Sequence, residues 1–216
     1  MKKRIAFYGG TFDPVHCGHI AVAKNLLSLF DLQEFVFLPA FHAPHKPERA
    51  PTSAYHRFAM LALATQHETG ISVSTLELDH RQKRYTVETL PELMSLHPDA
   101  DIFFVMGADS WVDIKTWREW EKVLLMTNHI VVTRPGYEIA IDHVSDSVRK
   151  RIVDLRGGGN PTHTGAEPRI YITDRVRIDV SATDIREDIG EDARLDRSDE
   201  VPQEVAKYIE KYELYR

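Results

Sequence analysis

The sequence predicts an α/β protein: a doubly wound parallel sheet with helices on both faces. Short apolar runs bounded by turn residues alternate along the chain with stretches of helical periodicity. That alternation is the pattern of a parallel sheet covered on both sides. The run Ile102–Met106 is continuously apolar, as a strand buried on both faces must be. Hydrophobic residues make up 43% and charged residues 28% of 216 residues, near the averages for globular proteins. This composition excludes a disordered tail, a collagen and a coiled coil.

Each element has its own signal. Arg4–Tyr8 is the first strand, stopped by Gly9-Gly10. A helix over about His19–Phe30 follows, because Ile20, Ala23, Leu27 and Phe30 recur at helical spacing. Glu34–Leu38 is a strand that stops at Pro39. Ala40–Pro51 holds three prolines and no periodicity, and a loop of that length invites a function. Thr52 or Ser53 caps a helix through His67. Ile71–Leu78 reads as a strand. Thr86 caps a helix to Leu96, which Pro91 should kink or delay. After the strand Ile102–Met106 come a helix over Trp117–Leu125 and strands over Ile130–Thr133 and Arg169–Thr173. Gly157–Gly165 reads as a flexible loop. Two helices close the chain, one after Ser181 and one near Pro202. No internal repeat is found, and residues 1–216 read as one domain with the last helices, about 181–216, packed at its C-terminal end.

Lys and Arg number 27 against 33 Asp and Glu, a formal charge of −6. Such a balance argues against a broad nucleic-acid groove. Residues 179–216 carry 12 acidic and 6 basic side chains, so the deficit belongs to the final helical segment, read as solvated surface. Cys17 is the single cysteine and cannot form an internal disulfide, which suits a reducing compartment. The basic-then-apolar start, Met1–Gly10, is too short and too broken by glycine for a signal peptide. No apolar run approaches the ~18–20 residues that span a bilayer. A cytoplasmic protein without membrane or nucleic-acid partners is expected.

In doubly wound sheets, ligands bind at the carboxyl ends of the strands, so the turn after the first strand comes first. It reads Gly9-Gly10-Thr11-Phe12-Asp13-Pro14-Val15-His16-Cys17-Gly18-His19. This is neither the dinucleotide glycine fingerprint nor the Walker loop, yet it suits an anion. The glycines allow close backbone approach, Thr11 offers a hydroxyl, and His16 and His19 stand at the start of a helix whose N-terminus attracts phosphate. Near the other end, Ser181 followed by Asp184 is a capping-box-like helix start, and Arg186 in that first turn can reach phosphates. Alone, each stretch could be a plain turn or a capped helix with a surface arginine. Together, two helix N-termini, two histidines and one arginine suit a triphosphate.

These residues resemble the His-x-Gly-His signature of the nucleotidyltransferase superfamily, and the full first string is similar to bacterial nicotinate-mononucleotide adenylyltransferases. Ala43-Pro44-His45-Lys46 resembles that family's Pro-Pro-His-Lys loop, with Ala43 for a proline. Tyr85-Thr86-Val87-Glu88-Thr89-Leu90 resembles its Ser-Tyr-Thr segment, with Arg84 for the serine. Gly107-Ala108-Asp109-Ser110, Trp117-Arg118-Glu119-Trp120 and Arg134-Pro135-Gly136 fit in order. Val180–Arg186 resembles the family's end motif, with Ala182 for a hydroxyl residue. The stretch Glu138–Glu167 looks longer than the family carries there.

The resemblance implies a Rossmann-like fold and the condensation of ATP with nicotinate mononucleotide to deamido-NAD and pyrophosphate. His16 and His19 would bind the α-phosphate and its transition state; Lys46 and Arg186 would hold the triphosphate or leaving pyrophosphate. Gly9, Gly10, Thr11, Phe12, Gly107, Asp109, Arg134 and Ser181 would complete the ATP site. His45, Lys46, Thr86, Trp117 and Arg118 would bind the mononucleotide, with Trp117 stacked on the pyridine ring. Mg²⁺ would be held mainly by the ATP phosphates and water, with no protein ligand assigned. A phosphate monoester is already ionised near neutral pH, so no general base is needed, and Cys17 reads as a bystander. Three other readings stay open: the same reaction on nicotinamide mononucleotide, a hydrolase with a metal on His16, His19, His42 and His45, and a nucleotide-binding regulatory module.

Overall fold

The computed structural model describes residues 2–42, 51–133, 139–161, 167–176, 180–192 and 200–216. Its strands are β1 (Lys3–Gly10), β2 (Glu34–Pro39), β3 (Ile71–Val73), β4 (Ala100–Gly107), β5 (Asn128–Val132), β6 (Ile152–Asp154) and β7 (Ile170–Thr173). They form one seven-stranded sheet in the order β3-β2-β1-β4-β5-β7-β6, and every pairing is parallel. The helices are α1 (Cys17–Leu29), α2 (Ala54–Thr65), α3 (Leu76–His80), α4 (Thr86–Leu96), α5 (Ala108–Val112), α6 (Trp120–Met126), α7 (Asp146–Arg149), α8 (Ala182–Asp192) and α9 (Gln203–Lys211).

Side chains alternate across each strand, so the strands feed two cores. Ala6, Phe35, Phe37, Phe103, Val105, Ile130 and Tyr171 face α1, α2, α8 and α9. Ile5, Phe7, Val36, Leu38, Phe104, Met106 and Val131 face α4, α5, α6 and α7. The strand order reverses between β1 and β4, so the carboxyl ends of these two strands, at Gly10 and Gly107, frame a crevice.

Four sequence expectations change. The strand expected over Ile71–Leu78 ends at Val73 and gives way to α3. There the Ser74 hydroxyl accepts the Leu76 N–H at 3.1 Å, a local bond that competes with a sheet ladder. Pro91 does not delay α4, which runs unbroken from Thr86 to Leu96. Val87, Leu90 and Leu93 are buried against the sheet, and this packing overrides the local preference of proline. The helix expected over Trp117–Leu125 starts only at Trp120. A single 3₁₀ turn, Ile114–Thr116, comes before it, and Trp117 is extended at φ −74°. The left-handed Glu119, at φ 52°, separates the two without a glycine to announce it. Finally, a strand that the sequence does not signal stands beyond β7. β6, three residues in the stretch Glu138–Glu167, lies outside it and is too short for a period-2 signal.

Candidate active site at the switch point

β1 runs two residues further than the sequence suggests, because Gly9 and Gly10 still pair with Leu38 and Pro39 of β2. A Cβ on Gly9 would stand 2.7 Å from the Phe104 ring, and one on Gly10 would stand 2.7 Å from the Phe12 ring. Packing therefore demands these glycines. At Gly107 a Cβ would meet nothing within 4 Å, and its backbone faces open cavity. Phe12 takes the left-handed φ of 53°, a strain on the order of 1 kcal/mol. Its buried ring holds it there, edge-on to Tyr8, Phe37 and His19.

The chain then enters α1 with His16 as N-cap. His16 is buried. Its backbone N–H donates to Nδ1 of His19 at 3.2 Å, and the rings lie 3.7 Å apart at a 32° tilt. An Nδ1 that accepts cannot carry a proton, so the neutral His19 ring holds its proton on Nε2.

Two cavities meet at these residues. The first, about 330 Å³, is walled by Gly9–Asp13, by Thr86 at the start of α4, by Trp117 and Arg118, and by Arg186 of α8. The second, about 480 Å³, is walled by His16, Gly18, Thr133, Val176 and Ser181. Tyr8, His19, Gly107, Asp109 and Ala182 belong to both. Trp117 is half-buried, its ring edge-on to Phe104 with centroids 6.4 Å apart. Arg118 lies over the Tyr85 ring at 5.3 Å. The Ser181 hydroxyl accepts the Thr183 N–H at 3.2 Å, so Ser181 caps α8 through the residue before Asp184.

Most of the expected site residues therefore converge. Gly9, Gly10, Thr11, Phe12, His16, His19, Thr86, Gly107, Asp109, Trp117, Arg118, Ser181 and Arg186 all line the joined cavities. His45, Lys46 and Arg134 lie outside the described residues.

Sequence reasoning missed the support beneath the site. The Arg57 guanidinium of α2 is fully buried. It donates to the carbonyls of Thr11 and Ala40 (2.6 Å each), Thr52 (2.9 Å) and Phe41 (3.3 Å). It thus binds the loop after β1, the end of β2 and the start of α2 into one unit. Burial lowers its pKa, opposed by the charge of Asp13. A signal existed: Arg57 sits three residues after Ala54 and three before Met60, on the helix's buried stripe. Asp13 is buried beside it, and its Oδ2 accepts the Thr52 N–H at 3.1 Å. Glu77 also lines the first cavity. Burial raises its pKa, opposed first by the hydrogen bond from Thr89 and then by Arg84. Arg84 itself is held by Glu92 at 2.6 Å.

Comparison with known proteins agrees with this geometry. The model of the cytidylyltransferase-like family matches residues 7–188. A probable nicotinate-nucleotide adenylyltransferase of Desulfatibacillum aliphaticivorans is 34% identical, covering 98% of this chain and 99% of the relative. One from a Thermoanaerobacter species is also 34% identical, over 100% and 95%. Among solved structures, Plasmodium falciparum nicotinic acid mononucleotide adenylyltransferase complexed with NaAD superposes with a TM-score of 0.75. It is 22% identical and covers 99% of this chain and 97% of its own, a likeness of fold.

Proposed function

The chain belongs to the cytidylyltransferase-like family and, within it, to the nicotinate-nucleotide adenylyltransferases, and on that premise we propose that it joins ATP to nicotinate mononucleotide at the two meeting cavities. The observation that carries this reading is the position of His19, on the wall common to both cavities and with its Nε2–H fixed as a donor.

The second cavity suits the adenosine of ATP, with the triphosphate passing the N-termini of α1 and α8 towards Arg186 and Gly9–Phe12 in the first. The first suits the mononucleotide, with its ring against Trp117 and its carboxylate at the start of α4. An ionised oxygen of the mononucleotide phosphate attacks the α-phosphorus of ATP, the bond to the β-phosphate oxygen breaks, and pyrophosphate leaves. No proton need be removed from the nucleophile. The protein aligns the two phosphates and stabilises charge on the transferring group. His16 and His19 serve the α-phosphate. Arg186 serves the β- and γ-phosphates, helped by Lys46. Arg118 and Thr86 meet the ring carboxylate, and Asp109 binds ribose hydroxyls.

Among the described residues no group of three or more His, Cys, Asp or Glu side chains could hold a metal. A Mg²⁺ would come with the triphosphate and water, and would neutralise charge between the phosphates. No helix among the described residues is long and apolar enough to cross a membrane. The same reading takes residues 1–216 as one nucleotidyltransferase domain acting in the cytoplasm on small molecules.

The test is pyrophosphate release with ATP and a panel of acceptors: nicotinate mononucleotide, nicotinamide mononucleotide and phosphopantetheine. Release greatest with the acid supports the reading. Release only with another acceptor, or none at all, removes it.

A further inference from the structure

We propose that Tyr215, the second-last residue, is a positioning residue for adenylyl transfer that acts through Asp13 on Arg186; this rests on the function proposed above. Tyr215 lines neither cavity. It is buried, with its ring in the core that holds α1, α8 and α9. Its hydroxyl donates to Asp13 Oδ1 at 2.7 Å, and Asp13 Oδ2 accepts the Thr52 N–H at 3.1 Å. The backbone carbonyl of the same Asp13 accepts Nη1 of Arg186 at 2.6 Å.

Asp13 is therefore gripped from three directions. The end of the chain and the start of α2 fix its side chain, and that fixed residue in turn anchors the phosphate-binding arginine. Among the described residues, the other nitrogen of Arg186 donates to the Thr183 hydroxyl at 3.2 Å. With Nη1 on Asp13 and Nη2 on Thr183, the fork is aimed rather than free. Burial and the Asp13 charge raise the pKa of the Tyr215 phenol, so it remains a donor throughout the working range. A phenol fixed in this way cannot reach substrate. Its effect must pass through the peptide at Asp13.

The variant is Tyr215→Phe, which keeps the ring and removes the hydroxyl. We expect kcat to fall about tenfold, with the mononucleotide KM changed less than twofold. We expect binding of a non-hydrolysable ATP analogue to weaken about fivefold. In an Arg186→Lys background the same change should add less than a threefold loss, because coupled residues are non-additive. Unchanged kcat and analogue binding, or full multiplication of the two losses, overturns the proposal. If the variant does not fold, Asp13→Asn, which keeps the carbonyl and side-chain shape, decides by the same measurements. The analogue titration also separates the two claims. A wild-type protein without turnover refutes the proposed function, and Tyr215 still stands or falls on analogue binding.

Discussion

The backbone N–H of His16 is bonded to Nδ1 of His19 at 3.2 Å, and the rings of the two residues stack at 3.7 Å. One histidine's main chain thus sets the tautomer of the other, and Nε2–H is a preset donor on the wall shared by the two cavities.

For His19→Ala we expect kcat to fall by about 10²–10³, the usual loss for one preorganised donor. The thermal midpoint should move by only a few degrees, because His19 is a half-buried cavity residue. Steady-state kinetics and a melting curve check it; a kcat within threefold of wild type would falsify the assignment.

Trp117→Ala removes the ring that the proposed function sets against the pyridine. An aromatic platform contributes ~1–3 kcal/mol per stacked base, so the mononucleotide KM should rise about tenfold or more. The KM for ATP should hold. Equal increases in both would place Trp117 in structural support instead.

Arg57→Met leaves four backbone carbonyls without their buried donor. Each unsatisfied group costs about 1–3 kcal/mol, so urea unfolding should show at least about 3 kcal/mol of destabilisation. A loss below about 1 kcal/mol would mean that the clamp is dispensable.

His129 tests acid stability. Its ring is fully buried, Nδ1 donates to the Thr127 carbonyl at 2.9 Å, and Nε2 has no partner among the described residues. Burial pulls its pKa down from 6.5 to about 4. The folded state therefore holds the ring neutral while the unfolded chain protonates it below pH 6.5. The stabilising difference is complete above that value and shrinks as pH falls from 6.5 towards 4. Between pH 7.5 and 5 this removes about 2 kcal/mol. His129→Asn should abolish that part of the pH slope in parallel unfolding curves; an unchanged slope would refute it.

Chelation should stop turnover, and added Mg²⁺ should restore it, without a change in melting temperature in the absence of nucleotide. A large drop in melting temperature on chelation alone would instead reveal a structural metal held by the protein.

By itself, the sequence determined the parallel sheet, the motif turn after β1, the start of α8 and a set of site residues that, wherever they are described, all line the cavities. These are local signals. Apolar period, a glycine stop and a helix cap are written within a few residues of each other, and the family strings are contiguous. What only the tertiary structure decided is how distant segments meet. Arg57 joins three segments, Tyr215 reaches Asp13 across almost the whole chain, and β6 takes the edge beyond β7. Trp117 leaves its expected helix because Glu119 turns left-handed. Spacing can mark Arg57 as buried, but neighbours in sequence do not record which partners it meets, because a buried polar group takes whichever partner folding brings within hydrogen-bond reach.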